Sequence, residues 1–266
     1  MTATIAPSRI LDAVRVIEGA ADGGRLAVAF SGGVDSTAVL ALAIQSLGVE
    51  RVVAVTADSP SLPRADLDEA RALAERLGVE WVKVETSEME DERYVANDAN
   101  RCFYCKGELF RVVAARKSGL GVSAVATGAI ADDLSDDRPG ERAGREVGVA
   151  TPLQDTGWTK EDVRAFLRAE GLPNAEKPQA ACLASRIPHG TAVTVEALAS
   201  VERAEAALRR RGYGLVRVRH LGSTARVEFD AQGWALLEGD GERAAVAAEL
   251  ATAGFGDVAF SRYGRP

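Results

Sequence analysis

The run Ser31-Gly32-Gly33-Val34-Asp35-Ser36-Thr37 constrains this chain more than any other stretch. An apolar segment, Leu26-Ala27-Val28-Ala29-Phe30, precedes it and reads as a buried strand, and the helix formers from Ala38 to Ala43 follow it. Strand, tight glycine turn and helix in that order aim backbone N–H groups and the positive end of the helix dipole at one point, an arrangement that binds phosphate. Gly32 and Gly33 let the backbone approach an anion closely, and the hydroxyls of Ser31, Ser36 and Thr37 can donate further bonds. The Walker pattern GxxxxGK[ST] is absent. A serine- and glycine-rich turn that only caps a helix is the plainer reading.

The turn resembles the SGGxDS signature of the PP-loop ATP pyrophosphatases, which implies ATP cleaved between its α- and β-phosphates with AMP left on a substrate oxygen. The surrounding pattern suits such a fold. Ile10, Val14 and Ile17 mark an N-terminal helix; strands are expected over 52–57, 81–84 and 122–126, with a helix over 63–77 ended by Gly78. Alternating strands and helices imply a parallel sheet with ligands at the carboxyl ends of its strands. Asp58 and Ser59 end the second strand and are candidates for adenosine contacts, although turn chemistry accounts for them as well. Asp132, Asp133, Asp136 and Asp137 follow the 122–126 strand, placed either to hold Mg2+ beside a polyphosphate or to form a solvated acidic turn.

Residues 86–100 read as a loop or short irregular helix, followed by a helix over 106–117. A helix over 159–170 carries Thr159 as its cap and Glu161 and Asp162 in its first turn. The loop rich in proline and alanine that runs on through Gly190 marks a domain boundary. Beyond it come a helix over 195–211, strands over 215–220 and 225–229, a helix over 241–253 and a strand near 257–260. The expected architecture is therefore α/β: a PP-loop, Rossmann-like (adenine nucleotide alpha-hydrolase-like) parallel sheet with helices on both faces over 1–180, plus a small C-terminal α+β domain over 190–266.

A chain of 266 residues with 47% hydrophobic and 27% charged residues can build a large domain and a small one. Its net charge of -7 argues against a broad nucleic-acid surface. Residues 1–10 do not resemble a signal peptide and no apolar run is long enough to span a bilayer, so a cytoplasmic location is expected.

The three cysteines are too few and odd in number for a disulfide framework. Cys102 and Cys105 form a C-x-x-C in Asn100-Arg101-Cys102-Phe103-Tyr104-Cys105-Lys106, and Cys182 lies in Ala181-Cys182-Leu183-Ala184-Ser185-Arg186. A C-x-x-C alone is ambiguous between a redox pair, half a zinc site and part of an iron–sulfur site. His189 and His220 are the chain's two histidines, few for zinc; a three-thiolate site could hold a cubane cluster with one iron left open for a sulfide. Arg186, Arg217, Arg219 and Arg226 form a second group. Arg217 and Arg219 stand two apart on a predicted strand and share a face, making either a phosphate clamp or a solvated strand face.

SGGVDST, NRCFYCK, TGAIADDLSDDRPG, ACLASRIPHG, VRVRH and ARVEF together resemble the LarE family of ATP-dependent sulfur transferases, from Ser31 to about Glu228. The resemblance implies an enzyme of nickel-pincer nucleotide biosynthesis that adenylates a carboxylate of a pyridinium dicarboxylic acid mononucleotide and converts it to a thiocarboxylate. It assigns Ser31, Gly32, Gly33, Asp35 and Ser36 to ATP, Cys182 to sulfur delivery, and Ser185, Arg217 and Arg219 to the substrate phosphate. Thr37, Asp58, Thr127, Gly128 and Asp132 complete the nucleotide side of the candidate site, and Arg138, Arg186, Arg226 and Glu228 the acceptor side. Some family members carry only the cysteine matching Cys182 and sacrifice its sulfur. The further presence of Cys102 and Cys105 resembles the subgroup in which all three hold a [4Fe-4S] cluster that permits repeated turnover. The implied cofactors are ATP, Mg2+ and this cluster; the implied partners are the mononucleotide and further copies of the chain, with no nucleic acid and no membrane. A PP-loop amidotransferase or synthetase using ammonia would need no thiolates, a tRNA thiolase would need a basic surface, and a nucleotide-binding regulator would release no pyrophosphate.

Overall fold

The computed structural model describes residues 5–135, 139–179 and 181–264. Asp136, Asp137 and Arg138 lie outside the described residues. In chain order the elements are α1 (Pro7–Ala21), β1 (Arg25–Ala29), α2 (Val34–Leu47), β2 (Val52–Asp58), α3 (Arg64–Arg76), β3 (Glu80–Glu85), α4 (Glu92–Val95), α5 (Arg101–Leu120) and β4 (Val122–Ala126). They continue with α6 (Pro139–Glu146), α7 (Pro152–Asp155), α8 (Lys160–Ala169), α9 (Val195–Arg210), β5 (Val216–Leu221), β6 (Thr224–Phe229), α10 (Ala231–Leu237), α11 (Glu242–Thr252) and β7 (Asp257–Arg262). The chain divides into two compact units, Met1–Glu88 with Ala99–Ala180, and Met89–Asp98 with Ala181–Pro266.

In the first unit the strands run parallel in the order β3-β2-β1-β4. Successive residues serve two layers. Leu26, Val28, Val52 and Ala54 pack with Ile17, Val39, Leu42, Trp158 and Phe166 on one face, while Ala27, Val53 and Val55 pack with Val112 and Val113 of α5 on the other. Burial on both faces is why these strands read as unbroken apolar runs. Since β1 has β2 on one side and β4 on the other, the sheet opens a crevice between the carboxyl ends of β1 and β4. Helix α8 begins as its sequence requires: Thr159 accepts from the Asp162 N–H and the Asp162 carboxylate accepts from the Thr159 N–H.

Helix α5 starts at Arg101 rather than at Lys106, so the C-x-x-C opens a helix instead of preceding one. Helices α6, α7 and α10 were not expected. Pro139 suits the first position of α6, and Gly140 lets α6 lie close on α5: a Cβ there would lie 3.2 Å from the Cys102 carbonyl and would displace the Lys106 side chain.

The second unit is a three-stranded sheet in the order β5-β6-β7, antiparallel then parallel, with Val201, Leu208, Val218, Val227, Phe229 and Leu250 buried. Residues 89–98, read above as a loop leading to the cysteine pair, belong to it. Asn97, fully buried at φ 57°, donates from Nδ2 to the carbonyls of Ile187 (3.3 Å), Pro188 (2.8 Å) and Thr191 (2.9 Å), and its own carbonyl accepts from Gly190. A short amide in the left-handed region is what lets one side chain fasten a whole loop.

Glu205 on α9 is the polar centre of this unit, with no exposure at all. It accepts from Arg186 Nε (2.8 Å), Arg209 (2.8 Å) and the Val218 N–H (3.0 Å), joining the 183–186 turn, α9 and β5. Leaving Arg186 buried without its counter-charge should be severe. Glu205→Gln is expected to lower the unfolding free energy by about 3–5 kcal/mol in urea denaturation. Truncating the exposed Arg226, whose contact to Glu228 is 3.6 Å, should cost under about 1 kcal/mol.

Candidate functional site

The glycine turn sits at the carboxyl end of β1 and leads into α2, whose N-cap, Gly33, makes no side-chain capping bond. The first N–H groups of a helix lack intrahelical partners, so an uncapped N-terminus is an anion site in waiting. Gly32 is required twice over. Its φ is 68°, and a Cβ would lie 3.0 Å from Ala70 Cα. Gly33 has an ordinary extended backbone, and a Cβ there would meet Ser31 Oγ at 3.3 Å. Thr37, fully buried, and Ser36 donate from their hydroxyls to the Gly33 carbonyl at 2.8 and 3.1 Å, and Ser31 Oγ lies 3.4 Å from Ser36 Oγ.

Thr127 and Gly128 follow β4 on the other side of the crevice. Gly128 packs on the first turn of α2 so tightly that a Cβ would lie 2.6 Å from Ser36 N and 2.7 Å from the Asp35 carbonyl carbon. Asp35 is gripped by Lys160, the first residue of α8, whose Nζ lies 2.6 Å from each carboxylate oxygen. The Lys160 N–H donates to Asp132, and the Ile130 N–H donates to Asp133. Asp132 and Asp133 thus shape the turn after β4 and bring one carboxylate, Asp132, beside the Lys160–Asp35 pair. Lys160 escaped the sequence reading. Its signal was there: a lysine at the first position of a helix runs against the macrodipole.

Asp58 ends β2 and is held by Lys83 Nζ at 2.5 Å and by Arg64; these two cations keep its carboxyl below the usual carboxylate range. Ser59 is buried and donates to Glu88, itself buried. Both residues are therefore part of a polar cluster at the strand end.

Cys102 and Cys105 lie one turn apart at the start of α5, Cys102 exposed and Cys105 half-buried. Arg142 of α6 crosses this end, its guanidinium 4.8 Å from the Phe103 ring centroid and bonded to Asn100 Oδ1 at 3.1 Å. Cys182 belongs to the second unit and is half-buried. Among the described residues no group of three or more His, Cys, Asp or Glu side chains forms a metal-holding cluster.

Around Cys182 the second unit gathers several of the residues singled out by sequence. Arg186, named above for the acceptor, is buried and bonded to Glu205, to the Ala181 and Cys182 carbonyls and to Ser185 Oγ. It shapes the cysteine turn and does not present its guanidinium. Arg219 donates to the Ser185 carbonyl (2.9 Å) and to Glu228 (3.1 Å), joining that turn to the β5–β6 hairpin. Arg217 stacks over Tyr263, its guanidinium carbon 4.7 Å from the ring centroid. In register Arg217 faces Glu228 and Arg219 faces Arg226, so one sheet face carries three arginines and one glutamate.

Fold and turn together define a PP-loop enzyme dependent on ATP. Residues 13–100 match the NAD synthase family model. The chain is 37% identical over 205 residues to the pyridinium-3,5-bisthiocarboxylic acid mononucleotide synthase of Lactiplantibacillus plantarum, covering 77% of this chain and 74% of that one. It is 44% identical over 205 residues to a Synechocystis protein, covering 77% and 76%. A shorter match, 37% over 83 residues and confined to 31% of this chain and 32% of the other, links it to the NH(3)-dependent NAD(+) synthetase of Methanosarcina mazei. The chain belongs to the LarE family. No helix among the described residues is long and apolar enough to cross a membrane.

Gly128→Ala tests the tight contact at the crevice. The methyl group must push the α2 backbone aside, at a stability cost of about 1–3 kcal/mol. ATP affinity measured by calorimetry is expected to fall by roughly tenfold or more, because the N–H groups no longer converge.

Proposed function

We propose that this enzyme activates a carboxylate of a pyridinium dicarboxylic acid mononucleotide with ATP and replaces one carboxylate oxygen by sulfur, in the biosynthesis of the nickel-pincer nucleotide. The observation that carries this reading is the pairing of an uncapped glycine turn in one unit with a cysteine turn fastened to an arginine-rich sheet face in the other. The relative in Lactiplantibacillus plantarum, named for the bisthiocarboxylic acid product, supports it.

A carboxylate is a poor electrophile because its oxygen leaves badly. In the proposed first step a carboxylate oxygen attacks the α-phosphorus of ATP, the bond to the bridging oxygen breaks, and pyrophosphate leaves with the electron pair. The turn N–H groups, that of Ser36 among them, the Ser31 hydroxyl and Lys160 meet the charge on the departing pyrophosphate. Asp35 and Asp132 are assigned to Mg2+: both carboxylates meet at Lys160, Asp35 on its ammonium and Asp132 on its backbone N–H. Asp58 and Thr127 are assigned to the nucleotide, at the ends of β2 and β4. A sulfide then attacks the acyl carbon, and AMP departs with the electron pair of the C–O bond to leave the thiocarboxylate; with the Cys182 thiolate as nucleophile the product is a thioester, which yields the thiocarboxylate when a base takes the Cα proton and the Cβ–Sγ bond breaks, leaving dehydroalanine. Arg217 and Arg219, with Arg226 and Ser185, hold the acceptor phosphate, Glu228 orients Arg219 and Arg226, and Cys182 stands on the same unit.

The three thiols suit a [4Fe-4S] cluster by donor softness and exposure, with Cys102 and Cys105 presented from one helical turn. Bound through three cysteines, such a group would supply an iron open to a transferable sulfide. In that case anaerobically reconstituted protein should hold about four irons per chain, and Cys102→Ala should lose most of them. Equal iron in both would leave Cys182 as a sacrificial donor.

Incubation with ATP, Mg2+ and the mononucleotide is expected to yield AMP and pyrophosphate, read by chromatography. Asp35→Ala should remove most of that yield while the protein stays folded. ADP as the sole nucleotide product would contradict the proposal.

A further inference from the structure

We propose that Asn174 is the positioning residue that keeps the glycine turn in its anion-binding form; this rests on the reading of that turn as the seat of the ATP polyphosphate. Asn174 lies in the loop after α8, outside every motif noted in the sequence. Its Nδ2 donates to the Gly32 carbonyl at 3.1 Å and to Thr37 Oγ1 at 2.8 Å. A planar trans peptide points the N–H of one residue opposite to the carbonyl of the residue before. Holding the Gly32 carbonyl against Asn174 therefore turns the Gly33 N–H to the other side, where Ser31 Oγ accepts from it through a long 3.4 Å contact that an anion can displace. The next carbonyl is held too: Gly33 O accepts from Thr37 N at 3.0 Å, Thr37 Oγ1 at 2.8 Å and Ser36 Oγ at 3.1 Å.

Both glycine carbonyls are thus drawn toward the protein. Without Asn174 the first of them loses its side-chain donor, and glycine at φ 68° gives its peptide unusual freedom to rotate. A rotated Gly32–Gly33 peptide would present a carbonyl oxygen to the incoming phosphate in place of an N–H, turning attraction into repulsion.

The amide orientation is fixed by its neighbours. Gly32 O only accepts, and Thr37 Oγ1 commits its proton to Gly33 O, so both face Asn174 as acceptors. The Asn174 Oδ1 is consequently buried with no hydrogen-bond partner among the described residues. A leucine of the same shape would remove that orphaned oxygen while leaving the Gly32 carbonyl without its donor, two costs that oppose each other, so stability alone gives asparagine no clear advantage here. The loop itself is anchored: Arg164 donates to the carbonyls of Ala175 (2.7 Å) and Lys177 (3.1 Å), and Lys177 Nζ pairs with Glu69 (2.8 Å) and Asp66 (3.2 Å). Asn174 is a fixed post, and the turn is shaped against it.

Calorimetric titration of the full chain with inorganic pyrophosphate and Mg2+, and separately with adenosine, reads the two halves of the nucleotide site. In Asn174→Leu the pyrophosphate Kd is expected to rise roughly tenfold or more while the adenosine Kd stays within about twofold, with a melting temperature close to that of the wild type. Asn174→Ala repeats the test without bulk at that position and should give the same split. Unchanged pyrophosphate binding in both variants would overturn the proposal, as would a joint loss of both ligands with a lowered melting temperature, which marks a structural role. Wild-type protein that bound adenosine but not pyrophosphate would instead overturn the reading of the turn itself.

Discussion

The first unit depends on one unsatisfied helix end. Helix α2 begins at Gly33 without a side-chain cap, and the surrounding structure holds that end open. Ala70 presses on Gly32, Gly128 presses on Asp35 and Ser36, and Thr37 draws the Gly33 carbonyl away. The contrast with α8 in the same unit is instructive, since there Thr159 and Asp162 cap each other's backbone. One helix start is closed for stability and the other is left for a ligand. Lys160 links the two, because the first residue of the capped helix neutralises Asp35 in the first turn of the uncapped one.

In the second unit the equivalent constraint is the burial of Glu205. Desolvating that carboxylate is costly, and it is compensated by two guanidiniums and a backbone N–H from three separate elements. Arg186 extends the same node to the carbonyls of Ala181 and Cys182. The position of the Cys182 backbone is thereby tied to a buried ion pair, and Arg219 ties the same turn to the sheet face. On the proposed reading, activation belongs to the first unit, and sulfur delivery with phosphate recognition to the second.

Much of this was legible in the sequence for identifiable reasons. Strands β1, β2 and β4 are buried on both faces, so each is an apolar run; β5 is covered on one face, so valine and arginine alternate. The Thr159 cap and the glycine turn are local signals and were read locally. Interactions between distant positions were not legible. An arginine in Ser185-Arg186 looks the same whether it faces a ligand or a buried glutamate nineteen positions onward, and only the fold supplies Glu205. Helix α5 was begun too late because Cys102, Phe103, Tyr104 and Cys105 are weak helix formers, whose place is set by packing against α6. Asn97 and Asn174 act through single amides on remote loops, which no local pattern announces.

The central claim is that a substrate carboxylate attacks the α-phosphorus of ATP held at the glycine turn. Supplying the mononucleotide with 18O in its carboxylates and analysing the products by mass spectrometry tests it directly. The account predicts one 18O atom in each AMP formed and none in pyrophosphate. Unlabelled AMP, or label found in pyrophosphate, would contradict it.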